Sequence, residues 1–310
     1  MKRIHHIFLG LTAIFSLLVC SCGDGSEKLQ PSVPYKNFFE ADPADKSATA
    51  ELRRDFYNNT GIYLIFSDLL GTYTDEFGIE RTEMVDFNWI LTDNDSFSYY
   101  FDEVADEDKQ HATDMVAKYF LPYINIEGSK LKPYSILLVS NLNSNQKDTY
   151  DDPSPVDYMS CWRCFAINVD EWIEADEEGA KTLGKNLLYQ LVSTKIDYQT
   201  PELEPFFAVC EEHYDNYYIV ESFPEWLDEQ DIEIIYEAGF RKYYADWYGE
   251  ADYDAFYSKR NDLADFMKAV FDEDEADFMD KWGDYPKIVE KYNILKGCIE
   301  TLGIDFNAVK

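Results

Sequence analysis

An α+β domain, with a mixed sheet in its N-terminal half and helices filling its C-terminal half, is the fold class this sequence predicts, and three observations predict it. Short runs of β-branched and aromatic residues, the marks of strands, cluster before Val169. Beyond Val169 every apolar stripe has helical spacing. The two kinds of pattern follow one another instead of alternating, which argues against a doubly wound sheet.

Taken in order, the chain opens on Lys2 and Arg3 and an apolar run over 7–19, so residues 1–21 read as a secretory signal, too short to span a bilayer. Cys22 follows the small residue Ser21, as a lipidated cysteine requires, whereas Cys20 follows Val19. Lipid on Cys22 would hold an otherwise soluble domain at a membrane surface; an ordinary cleaved signal is the alternative. Pro31, Pro34 and Pro43 among polar residues make 22–46 a lipid-anchored, extended tether. Structure is expected from Ser47: a helix through Tyr57, a turn at 58–61 and a strand over 62–66. Further strands are expected over 84–91, 134–140 and 163–169, with an amphipathic helix over 108–123. Helices then follow at 180–195, 224–239, 256–271, 275–282 and 286–302. No repeat or flexible linker divides 47–310, which reads as one domain.

The helix over 180–195 is the best patterned. Leu183, Leu187, Leu188 and Leu191 give it a face for burial. Opposite them, Lys185, Asn186 and Tyr189 stand at the offsets of the first His, the Glu and the second His of an H-E-x-x-H helix. None of the three has the chemistry for those roles, since an ammonium has no lone pair, an amide is no base, and a phenol is a poor zinc ligand at its usual pKa.

Gly239-Phe-Arg-Lys-Tyr-Tyr-Ala245 and Asn261-Asp-Leu-Ala-Asp265 resemble the G-F-x-x-x-Y-A and E-D-F-A-E segments of the zinc-binding metallopeptidase lipoproteins of Bacteroidetes. The run from Lys291 to Phe306 is similar to that family's closing helix. The resemblance implies a zincin-like fold, with the sheet preceding the metal-bearing helix. It also implies that Lys185, Asn186 and Tyr189 are degenerate metal-site positions, while Asp262 and Asp265 keep family acids and Asn261 replaces another. On that reading Lys185 fills the place of the zinc and neutralises Asp262 and Asp265, and no metal or other cofactor is expected. A plain solvent-facing helix surface is the alternative. Gly23-Asp-Gly-Ser-Glu27 is similar to the acidic tags of surface-exposed lipoproteins in that group, which implies the outer membrane or cell surface.

Other features narrow the chemistry. The formal net charge is −34, and loss of Lys2 and Arg3 with the signal makes it −36, so nucleic acid is excluded as a partner and anionic lipid faces are disfavoured. His5 and His6 would leave with the signal, so only His111 and His213 remain. Cys161-Trp-Arg-Cys164 precedes a strand and not a helix, so the thiol activation of a redox C-x-x-C is missing; a structural disulfide or two buried thiols remain. The acidic runs at 93–95 and 272–275 lack the spacing of a calcium loop. Twenty-four Tyr, 21 Phe and 6 Trp, dense over 240–257, suit either a core or a surface that stacks sugars.

These readings lead to a surface-anchored, catalytically inactive accessory protein that binds a peptide or a glycan in the cleft between the sheet and the 180–195 helix. The alternative is an active hydrolase with an unconventional metal site or a carboxylate pair such as Asp262 and Asp265.

Overall fold

The computed structural model describes residues 36–85, 87, 97–146, 154–214, 232–242, 258–306 and 308. The signal, Cys22, most of the tether, the acidic run at 93–95 and the aromatic stretch 243–257 lie outside the described residues. The chain divides into two units, Gly71–Glu83 with the chain up to Phe38, and Phe39–Leu70 with Met84–Lys310. The protein is α+β with a mixed sheet.

The smaller unit is built on a hairpin. Strands β2 (Leu69–Thr74) and β3 (Glu80–Met84) pair only with each other among the described residues. Their turn is closed by Asp75, whose Oδ1 accepts from the N–H groups of Phe77 and Ile79, and by Gly78 at φ +76°.

The larger unit begins with helix α1 (Ala48–Thr60), capped by the Ser47 hydroxyl, which accepts from the N–H of Ala50 at 3.2 Å. Gly61 ends it in the left-handed region and turns the chain into β1 (Tyr63–Ile65). The sheet is organised on β5 (Ser135–Gln146). Its first half runs parallel to β1 on one side and to β8 (Phe165–Asn168) on the other. Its second half pairs antiparallel with β4 (Phe97–Glu103) and β6 (Ser154–Pro155), and β7 (Tyr158–Ser160) borders β8. Both faces are covered, which is why 136–139 reads as unbroken apolar sequence. Ile136, Leu138, Phe165 and Ile167 face the helical core, whereas Leu137, Val139, Cys164 and Ala166 face Phe39, Ile65, Val85 and Phe87. The expected strand over 134–140 continues to Gln146 across a bulge at Asn141 (φ +49°), whose N–H donates to Asp170 and whose side-chain amide donates to Asp102.

Helices α2 (Lys109–Tyr119) and α3 (Leu121–Ile124) precede β5; after β8 come α4 (Asp170–Glu174), α5 (Glu177–Ser193) and α6 (Glu204–Ala208). They are followed by α7 (Ile232–Ala238), α8 (Lys259–Asp272), α9 (Glu275–Trp282) and α10 (Pro286–Glu300). The expected helix at 224–239 is described only from Ile232, and the expected strand at 84–91 contributes only the end of β3, with 88–91 outside the described residues. Helix α5 starts at an Asp176 cap and meets the end of α2 at Gly184, where a Cβ would stand 2.0 Å from the Tyr119 carbonyl oxygen.

Candidate functional site

The helix expected to carry the degenerate metal positions is α5, and it buries Ala180, Gly184, Leu187, Leu188, Leu191 and Val192. Lys185 and Asn186 are exposed on its far side. Tyr189 is half-buried and set edge-on against Phe271, with centroids 5.4 Å apart. Lys185 therefore does not neutralise Asp262; that expectation is corrected. A helix that puts its leucines into the core must put the residues opposite them into water.

The partner of Asp262 is Lys291, on α10. Asp262 lies in the first turn of α8, a helix capped by Ser258, and is 2% exposed; Lys291 is 0% exposed. The Lys291 Nζ donates to Oδ1 at 2.8 Å and to Oδ2 at 2.6 Å of Asp262, to the carbonyl oxygen of Gly239 at 3.0 Å and to the Sγ of Cys210 at 3.3 Å. The Cys210 thiol donates to the Tyr214 hydroxyl at 3.2 Å, and that hydroxyl donates to Asp262 Oδ2. Three rings close around the ammonium, those of Phe206, Phe240 and Phe266, with centroids 4.5 to 4.8 Å away. Burial pushes the Asp262 carboxyl up, against the pull of Lys291. It also pushes up the Cys210 thiol and the Tyr214 phenol, the latter further by the adjacent Asp262 charge.

Beside this pair, Arg241 donates to the backbone oxygen of Asp265 at 2.8 Å and to the Glu273 carboxylate, with its guanidinium over Phe266, Phe278 and Trp282. Asp265 is half-buried and Asn261 exposed. Gly239 (φ +100°), Phe240, Arg241, Asp262, Asp265 and Lys291 thus come together from the three segments quoted for the family resemblance, without the α5 positions.

Lys291 was missed by sequence reasoning, although a signal existed. It falls three residues after Ile288 and four before Leu295, on the apolar stripe of α10, where a lysine needs a buried partner. Asp262 likewise sits four residues before Phe266 on the buried face of α8.

Asp262 is enclosed while Asp265 is half-buried, so the two do not form a carboxylate pair that is open to solvent together. His111 is exposed on α2, and His213 lies in a short 3-10 turn beside Phe240. Among the described residues no three His, Cys, Asp or Glu side chains are gathered to hold a metal ion. Cys161 and Cys164 are free thiols, the first half-buried and the second buried, and burial raises the pKa of Cys164. They face each other across the two-residue turn of the β7–β8 hairpin, where the Cys161 N–H donates to the Cys164 carbonyl at 2.9 Å.

Two open grooves of about 500 Å³ each are within the usual size range of ligand sites. One, at the end of α6, is lined by Tyr198, Thr200, Glu204, Phe207, Glu211 and Lys259. The other runs along residues 155–160 and includes Tyr99, Ser144, Gln190 and Thr194. Comparison of the chain with protein-family profiles, with curated proteins and with solved structures found no match.

Proposed function

We propose that this chain is a lipid-anchored, non-catalytic binding protein of the outer membrane or cell surface, related in scaffold to the zincin-like lipoproteins, whose ligand is a peptide or a glycan. The observation that carries the reading is the closure of Asp262: it is spent on a buried lysine, which leaves the half-buried Asp265 without a second acid beside it to share a metal or a proton. Among the described residues two mixed polar and aromatic grooves are open, of a size that suits a ligand. The net charge of −34 suits neutral or cationic ligands.

The test uses the full chain purified from a membrane fraction. Mass spectrometry is expected to find Cys22 as a lipidated N-terminus, and incubation with denatured casein and added zinc is expected to yield no chelator-sensitive cleavage. Turnover that disappears with Asp265→Asn would refute the non-catalytic reading.

A further inference from the structure

The groove along residues 155–160 is also a border of the sheet. Val156 donates its N–H to the carbonyl of Leu142, and Asn168 donates to the carbonyl of Asp157. The Cys161 N–H donates to the Cys164 carbonyl. Along an antiparallel ladder bonded and non-bonded pairs alternate, so the bonds of β7 to β8 fall on the pairs 157/168, 159/166 and 161/164. The N–H and C=O groups of Tyr158 and Ser160 are consequently directed away from β8, and no described residue bonds them from the other side. Nothing described extends the sheet past β7. The groove beside this border is lined by half-buried Tyr158, buried Met159 and exposed Ser160, with Gln190 and Thr194 contributed by the end of α5 and its cap. Among the described residues its lone carboxylate is that of Asp157, which already accepts from the Gln190 amide at 2.9 Å.

Unsatisfied strand edges are templates for another strand, and proteins that do not use them shorten or charge them. Here Pro155 and Asp157 keep the edge short, so an arriving strand could make only about four backbone bonds with Tyr158 and Ser160 and must draw the rest of its affinity from the groove. A second copy of the chain, with a net charge of −34, would meet strong like-charge repulsion.

We propose that residues 157–160 are a docking edge for an extended peptide of neutral or positive charge, which adds a strand to β7 and lays alternate side chains into the adjoining groove. The inference rests on the reading of this chain as a binding protein and names its ligand class.

The experiment selects random eight-residue peptides on the full chain, with a glycan array probed in parallel. Retained peptides are expected to carry zero or positive net charge. N-methylation of their alternate amides, which removes strand pairing without touching the protein, is expected to weaken binding by about tenfold or more. Ser160→Pro deletes an outward donor and leaves the ladder to β8 intact, so it is expected to do the same with an unchanged circular dichroism spectrum. Retention of no peptide, or binding indifferent to both N-methylation and Ser160→Pro, overturns the proposal. Retention of glycans alone also overturns it while sparing the binding-protein reading. Cleavage of the retained peptides would instead defeat the non-catalytic reading and leave the docking edge standing.

Discussion

Lys291→Met isolates the energetics of the buried pair. Methionine keeps much of the aliphatic stem among Phe206, Phe240 and Phe266 but removes the ammonium, so Asp262 keeps only the Tyr214 hydroxyl among the side-chain donors that now reach it. At the effective dielectric of about 20 that suits protein sites, two unit charges in contact attract by about 6 kcal/mol, much of which offsets their desolvation. The stranded carboxylate has a route to relief, because it can take a proton. At pH 7 protonating a carboxyl with an unfolded pKa of about 3.9 costs about 4 kcal/mol, and that figure sets the charge penalty; at pH 5 it falls to about 1.5 kcal/mol. The sign follows from proton binding: the variant's native state holds a proton on Asp262 that its unfolded state has lost, so its stability falls as pH rises above about 4. Urea unfolding followed by tryptophan fluorescence should show wild type and variant about 4 kcal/mol apart at pH 7 and closer at pH 5. Asp262→Asn in the same chain should restore at least about 2 kcal/mol at pH 7, as a double-mutant cycle reads it. A penalty below about 1 kcal/mol at pH 7, or one equal at both pH values, would refute the reasoning.

Lys185→Met, on the exposed face of α5, is expected to change stability by no more than about 0.5 kcal/mol in the same assay. Gly184→Ala should destabilise by about 3 kcal/mol, because its Cβ would lie 2.0 Å from a backbone oxygen that cannot move without shifting α2; the thermal midpoint reads this directly. Cys161 and Cys164 are directly opposed at a Cα spacing that a disulfide tolerates, so after mild oxidation the protein should show alkylation of that pair only once it is reduced again. Burial depresses the pKa of His213 below its ordinary value of 6.5, so the unfolded state gains a proton first as pH falls. Stability should therefore be full above about pH 6.5 and decline below it, and His213→Gln should remove that part of the decline in a pH series of unfolding midpoints.

Where the sequence was legible, burial was simple. The expected helix at 275–282 coincides with α9, and 286–302 overlaps α10, because their apolar stripes have one period and their ends are marked by an acid or a proline. The expected strand at 134–140 stops short of the observed Gln146 because 141–146 is polar apart from the buried Leu142: Asn141 and Asn143 serve the bulge and not a core. Strands β6 and β7 are too short to show a period, and in β4 the consecutive aromatics Tyr99, Tyr100 and Phe101 break the alternation that marks a strand. The site was half legible. Asp262 could be singled out from its segment, but its partner could not, since pairing between residues 29 positions apart depends on how α8 and α10 cross. The error over Lys185 has a plain cause: i, i+1 and i+4 offsets exist on every helix, and the face they occupy is set by where the leucines go.

The segments that suggested a peptidase scaffold turn out to be neighbours in space, for a reason that needs no catalysis. Gly239 must adopt φ +100° to aim its carbonyl at Lys291, a conformation that favours glycine. Phe240 closes the cage over the ammonium, and Arg241 ties the α7 end to the backbone of α8 and to Glu273 beyond it. Asp262 and Lys291 then fix α8 against α10. A buried pair of this kind contributes little net stability, because desolvation offsets most of its attraction, yet any other registry of the two helices would leave both charges unpaired and is penalised by several kcal/mol. Residue patterns around such a pair are under the same restriction in an active enzyme and in an inactive one, so they carry information about helix registry and none about turnover. Among the described residues, the β7 border and the groove by α6 are open where the buried charges are not, and the proposed binding is tested there.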